Sequence, residues 1–432
     1  MKTVRELALE ALYKIEKGQA YSNLLLNEYL NSNGLNDADK RLFSQLVYGV
    51  VARKMTLQWM LKPYVKGRMK PMVRLALQMA VYQIVYLDKI PRHAIVDEAV
   101  KITKKADGNY SSKFVNAVLR NFEQRPIEDA PIEVKYSMPR WLVDLIINQL
   151  GYGDGMECLE SLLVQSKANA RVTIDRDEAI AILEEEGYEN VLPSLISPVG
   201  ITTPKGVLAK SKLFHEGTLT IQDESSQIVA QVMQLEPHHQ VLDACAAPGG
   251  KTMHIATYLN ETGKVHALDI HEHKINLIKD NAIRQHLTDR VETHLLDARK
   301  AETIFDEEQF DRILVDAPCS GLGLMRRKPD IKYAKTEEEI EHLPAIQLEI
   351  LEKVCKLVRK GGIITYSTCT MNEAENAEVV NAFIEAHEGE FALAEITPIT
   401  PNLERASQNA MIEIYPHYFN SDGFFIANIK RL

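Results

Sequence analysis

One run of ten residues, Asp243-Ala244-Cys245-Ala246-Ala247-Pro248-Gly249-Gly250-Lys251-Thr252, places small side chains and two glycines between an apolar β-branched stretch and a helical one. Small residues let a backbone approach a ligand closely, and the free N–H groups of a helix start face whatever is bound there. The run therefore reads as a nucleotide-cofactor loop, and three cofactor chemistries compete for it. A phosphate-cradling loop needs G-x-x-x-x-G-K-[ST]. Gly250-Lys251-Thr252 supplies its end, but Cys245 occupies the position of the first glycine and Pro248 has no backbone donor. The dinucleotide pattern G-x-G-x-x-G is absent from the run. The third chemistry, S-adenosylmethionine binding, asks for close backbone approach to an amino-acid moiety and an acid after the second strand for the ribose hydroxyls. Asp269 occupies that place, and Asp297 follows a third strand, where it could hold an adenine amino group. A single aspartate at a strand end is a weak signal, but three successive strands ending in Asp at one rim form a stronger one.

Five cysteines occur, at 158, 245, 319, 355 and 369, with no CxxC pair. A disulfide framework and a zinc knuckle are thereby disfavoured, and no metal site is expected. Cys158 and Cys355 lie on helical segments and read as small buried hydrophobes. Cys245 fits its loop as a small residue. Cys319, in Asp316-Ala317-Pro318-Cys319-Ser320-Gly321, and Cys369, in Ser367-Thr368-Cys369-Thr370, instead follow the carboxyl ends of two strands expected to be neighbours. Two thiols at one rim suit a cytosine ring. Its C5 is too weak a nucleophile to attack a methyl sulfonium until a thiolate adds at C6 and makes C5 enamine-like. A second thiol can then serve as an acid–base group during release. Asp316, beside the base, could hydrogen-bond its N3/N4 edge.

These residues need a scaffold that delivers several loops to one rim. From Gln240 onward, apolar β-branched runs at 240–244, 264–269, 290–296, 312–316 and 362–367 alternate with helical segments, the pattern of a parallel, doubly wound sheet. In such sheets ligands bind at the carboxyl ends of the strands. A last strand within 423–430 is expected to join antiparallel at or near one edge. Upstream, residues 1 to about 122 read as all-helical. Asn36-Asp37-Ala38-Asp39 offers a cap before Leu42, Leu46 and Val47, Pro71 suits a first helical turn, and Pro91 precedes a further helix. Residues 123–134 have the composition of a linker. Helical segments at 140–150 and 155–164, a strand at 170–174 and an acidic helix at 176–186 suggest a small α+β module in the middle.

At 432 residues the chain calls for two or three domains. Its net charge of −10 hides an asymmetry: residues 1–125 carry 21 Lys+Arg against 11 Asp+Glu, so the acidic excess lies in the remainder. Lys62, Lys66, Arg68, Lys70 and Arg74 cluster, with Arg53 and Lys54 before them, which points to a polyanion partner or to an ordinary solvated face. The most apolar segment, Met72 to Leu87, is interrupted by Arg74, Gln78 and Gln83, and the first two should form a polar edge on a buried helix. No segment reaches the roughly 18 apolar residues of a membrane span, and the N-terminus has no apolar signal core, so a cytoplasmic location is expected.

Taken together, the cofactor run, Asp316-Ala-Pro-Cys-Ser-Gly321 and Ser367-Thr-Cys-Thr370 resemble the RNA cytosine-C5 methyltransferase family. The resemblance extends through Phe214 to Gln227, Arg326 to Lys332 and Asp422 to Phe425, and the helical N-terminus is similar to the NusB fold. It implies a NusB-like RNA-binding domain over 1–125, a linker and small RNA-recognition-like subdomain over 126–215, and a Rossmann-like class I methyltransferase domain over 216–432. It also implies Cys369 as nucleophile, Cys319 as the release cysteine, and Cys245, Ala246, Ala247, Pro248, Gly249, Gly250, Lys251, Asp269, Asp297 and Asp316 as cofactor-contacting. The implied cofactor is S-adenosylmethionine and the implied substrate 16S rRNA, with the protein acting as a monomer and no protein partner evident. Three other readings stand beside this one. A methyltransferase for protein or small molecules leaves the two rim cysteines and the basic lobe unexplained. A non-catalytic RNA-binding factor leaves the intact loop unexplained, and a redox dithiol lacks a CxxC.

Overall fold

A computed structural model describes residues 2–18, 25–26, 28–30, 34–204 and 206–432. The chain divides into two compact units, Met1–Leu163 with Met325–Lys335, and Val164–Leu324 with Thr336–Leu432. These limits differ from the expected divisions after residues 125 and 215. The short helix Ile132–Lys135 packs on Lys54–Leu61 and leads into Arg140–Ser161, so this stretch continues the helical unit. Met325–Lys335 joins the same unit: Lys332 Nζ donates to Ala52 O at 3.0 Å, and Tyr333 Oη to Ser137 O at 2.8 Å.

The first unit is helical throughout its described residues. Thr3 and Glu6 form a capping box at the start of Val4–Glu16, and Asn36 caps Asp37–Ala52 through Asp39 N. Pro71 opens Pro71–Tyr86, the central helix, which packs against the helices Val4–Glu16, Asp37–Ala52, Lys54–Leu61 and Arg92–Asn121. Its expected polar edge does not form. Arg74 pairs with Glu16, while Gln78 is fully buried, because helices surround Pro71–Tyr86 on several sides. Gly108 (φ 87°) and Gly151 (φ 75°) interrupt Arg92–Asn121 and Arg140–Ser161, and the second break separates the two expected helical segments.

The second unit opens with strands β1 (Ala168–Val172), β2 (Leu192–Pro193), β3 (Gly200–Thr203) and β4 (Leu219–Ile221), arranged antiparallel in the order β2-β3-β1-β4. The acidic helix Arg176–Glu185, capped by Asp175, closes a small core that includes Val172, Leu183 and Ile201. Arg284, from the larger sheet's side, donates to Phe214 O and Leu219 O and so ties this module down.

The larger sheet contains β5 (Gln240–Asp243), β6 (Lys264–Asp269), β7 (Val291–Leu295), β8 (Phe310–Asp316) and β9 (Val358–Thr368), all parallel, followed by β10 (Phe391–Ala394), β11 (Ser407–Gln408), β12 (Met411–Ile414) and β13 (Phe424–Arg431). The order β7-β6-β5-β8-β9-β13-β12-β11, with β10 also on β13, reverses direction between β5 and β8, which creates the crevice where such sheets bind ligands. Phe310, Ile313, Leu314 and Val315 of β8 are all buried, as a strand covered on both faces requires. β13 is antiparallel to β9 as expected, but β12 and β11 continue the sheet beyond it. That hairpin turns through Asn409 and Ala410, both at positive φ, where a glycine would have made the turn legible.

Candidate active site

The loop after β5 is clamped to both neighbouring strands. Ala244 N donates to Leu314 O and Ala246 N to Leu268 O, each at 2.9 Å. Gly249 turns the chain at φ 100° into the helix Gly250–Thr257, and the Ala247–Pro248 peptide is cis. A Cβ placed on Gly250 would meet nothing within 4 Å, so the rim is open there. Beneath the loop, Asp243 is fully buried and accepts from Thr252 Oγ1 at 2.7 Å through Oδ2, while Oδ1 has no partner among the described residues. Burial raises its carboxyl to about 7, with Asp316 adding to the rise and Thr252 opposing it. Ala246 is buried in the core, and its carbonyl accepts from Gly249 N at 2.7 Å. Burial, and then the charges of Asp243, Asp316, Asp269 and Asp297, push the Cys245 thiol far up. All four strand-end acids therefore converge on this loop.

Asp269 and Asp297 are also engaged locally. Asp269 accepts from His271 N at 2.9 Å, with Lys274 at 3.7 Å. Asp297 binds Arg299 through both oxygens, the nearer contact being 2.7 Å, and Arg299 reaches on to Glu349.

On the other side of the crevice, β8 and β9 run in register with Asp316 opposite Ser367, and their following loops bring Cys319 Sγ to 3.3 Å from Cys369 Sγ. Hydrogen bonding to Cys369 and burial raise the Cys319 thiol well above its ordinary range. Glycine permits the close approach behind the sulfurs: Gly323 N donates to Cys369 O, and a Cβ on Gly323 would lie 2.0 Å from Gly423 O. Asp316 accepts from Ser367 Oγ through Oδ1 and from Lys251 Nζ through Oδ2, both at 2.8 Å. Burial works against the Lys251 ammonium, but attraction to Asp316, Cys369 and Asp243 outweighs it and raises its pKa. Lys251 thus connects the cofactor loop to the thiols, an ion pair spanning 65 residues that no local pattern announces. Cys355 precedes β9, at the opposite end of that strand from Cys369, and Cys158 belongs to the helical unit; burial raises their thiols to about 11 and about 12.

Residues 230–430 match the model of the 16S rRNA methyltransferase RsmB/F family, and residues 2–124 that of the NusB family. Over 99% of both chains, this one is 41% identical to the "Probable ribosomal RNA small subunit methyltransferase B" of Bacillus subtilis (strain 168). The chain belongs to the ribosomal RNA small subunit methyltransferase B family. Another relative, from Klebsiella pneumoniae subsp. pneumoniae, is 33% identical across 99% of this chain and 98% of its own. The solved structure of PH0851 superposes over 99% of both chains with a TM-score of 0.83 at 26% identity. Within the family the helical N-terminus is a NusB domain and the sheet domain a class I methyltransferase, as the sequence implied. The cofactor is S-adenosylmethionine, and the site fits it: the backbone is open at Gly250, and Asp243 offers a buried, unpartnered oxygen beneath the loop.

Proposed function

We propose that the protein methylates C5 of a cytosine in 16S rRNA through a covalent bond between Cys369 and C6 of the base. The observation that carries this reading is the pair of thiols 3.3 Å apart, beside the Lys251–Asp316 ion pair. Bound S-adenosylmethionine supplies an electrophilic methyl carbon. Lys251 holds a positive charge near Cys369 and favours its thiolate. The thiolate adds to C6, and the electron pair of the C5–C6 bond becomes available at C5 to take the methyl group, whose bond to the sulfonium sulfur breaks to leave the neutral thioether S-adenosylhomocysteine. Loss of the C5 proton to water re-forms the double bond and returns the C6–sulfur pair to Cys369. Cys319, kept protonated, faces that sulfur and hydrogen-bonds it as the bond breaks. Asp316, already oriented by Ser367 and Lys251, meets the polar edge of the base. Cys245 to Lys251, with Asp269 and Asp297, line the cofactor side.

We read residues 1–125, within the helical unit, as the RNA-binding part, and the large sheet from Gln240 onward as the transferase. The relatives' names, which specify the ribosomal small subunit, and the basic excess of the first segment support rRNA as substrate. The test is transfer of tritiated methyl groups onto unmodified 16S rRNA, followed by mapping of the labelled base. Label at C5 of one cytosine is expected, and label on another base or atom would overturn the assignment.

A further inference from the structure

Six residues beyond Cys369, at the end of the turn Glu373–Glu375, the Glu375 side chain is fully buried. Among the described residues no cation pairs with it. It accepts four hydrogen bonds instead, all from neutral donors. Oε2 takes Ser320 N at 2.8 Å and Gln347 Nε2 at 3.1 Å. Oε1 takes Ser320 Oγ at 2.6 Å and Asn372 Nδ2 at 3.1 Å, and Thr370 Oγ1 in turn donates to Ser320 Oγ at 2.7 Å. Ser320 directly follows Cys319, and Thr370 directly follows Cys369. Gln347 also donates to the carbonyl of Pro318, immediately before Cys319, at 3.0 Å. From beneath, Tyr366 Oη donates to the backbone carbonyl of Glu375 at 2.6 Å and fixes the turn to β9.

A buried carboxylate with no counter-ion is costly and is tolerated only where several donors converge on it. Here the donors come from both cysteine loops. We infer that Glu375 is a positioning residue that sets the Cys319–Cys369 separation by binding Ser320 of one cysteine loop and Asn372 of the other, with Thr370 held through Ser320. The inference rests on the thiolate reading above and deepens it. A glutamine would match the shape of Glu375 but not its chemistry. One of its two ends is an NH2, which would face either the backbone N–H of Ser320 or the amide donor of Asn372. The negative charge has a second effect, adding to the upward push on the Cys319 thiol and helping to keep it protonated. Misplacing a reacting group by about 1 Å can cost on the order of 100-fold in rate.

The test is Glu375→Gln in the full-length protein, assayed with S-adenosylmethionine and unmodified 16S rRNA, alongside Cys369→Ala. We expect kcat to fall by at least about tenfold. KM for rRNA and affinity for S-adenosylhomocysteine should stay within about twofold, a split that general loosening of the fold would not produce. If Glu375→Gln does not fold, Ser320→Ala removes the shortest of the four bonds and should lower kcat about three- to tenfold with the same unchanged KM. Wild-type kcat in the folded variant, or a loss confined to KM, overturns the assignment while an inactive Cys369→Ala leaves the thiolate reading standing. Methyl transfer by Cys369→Ala overturns the thiolate reading itself.

Discussion

Cys319 Sγ and Cys369 Sγ face each other at 3.3 Å although fifty residues separate them. The contact exists because β8 and β9 are parallel neighbours, each running directly into its cysteine loop. Cys369→Ala should abolish methyl transfer while leaving adenosylmethionine binding intact, as measured by calorimetry. Cys319→Ala should instead accumulate an RNA–protein adduct, seen as a shifted band on a denaturing gel. If the band appears with Cys369→Ala and not with Cys319→Ala, the order of the two thiols is reversed.

Lys251 is attracted by Cys369 as well as Asp316, and its raised pKa keeps it charged throughout the neutral range. Lys251→Met should slow alkylation of Cys369 by iodoacetamide and lower kcat by about 10- to 100-fold, since it removes the charge that favours the thiolate and leaves Asp316 without its ion-pair partner. Alkylation at the wild-type rate would show that the thiolate does not depend on Lys251.

Lys332 carries an amine into a fully buried setting, where desolvation, with Arg53 adding to it, lowers its pKa to about 7. The unfolded chain protonates the same amine at 10.5, so between about pH 7 and 10.5 it binds more protons than the folded chain. Stability should therefore rise with pH across that window, and the cost of charging the amine is felt in full below it. Chemical denaturation of Lys332→Met should show a flatter profile from pH 7 to 10 than the wild type. An identical slope would mean that the amine is solvated.

Lys62, Lys66 and Arg68 are exposed and, among the described residues, form no ion pairs, whereas Lys70 is engaged by Asp107 and Arg74 by Glu16. Replacing the first three with alanine should weaken rRNA binding and reduce the slope of log K against log[salt] by about 0.7 to 0.9 for each phosphate that is no longer neutralised. An unchanged slope would assign the cluster to ordinary solvation.

Local patterns announced several features that the fold bears out. The cap at Asn36, the prolines that open helices, and the strand–helix alternation from Gln240 depend on backbone chemistry within a few residues. The β11–β12 hairpin was illegible because Asn409-Ala410 turns without a glycine. The edge expected on Pro71–Tyr86 failed for a different reason. Gln78 is polar by type, but neighbouring helices cover it, and its burial depends on packing that periodicity does not describe.

By itself the sequence determined which residue types stand at the strand ends: the glycine loop, the four aspartates and the two thiols. A strand that ends in Asp or runs into a Cys does so in any fold that keeps it a strand. Only the tertiary structure decided their partners. Strand order set Asp316 beside Ser367, drew Lys251 across to Asp316, and closed the thiols to 3.3 Å. Glu375 shows the difference most directly. In the chain it is one acid among many, and it becomes the shared acceptor of both cysteine loops only because buried donors must find an acceptor and these loops converge on it.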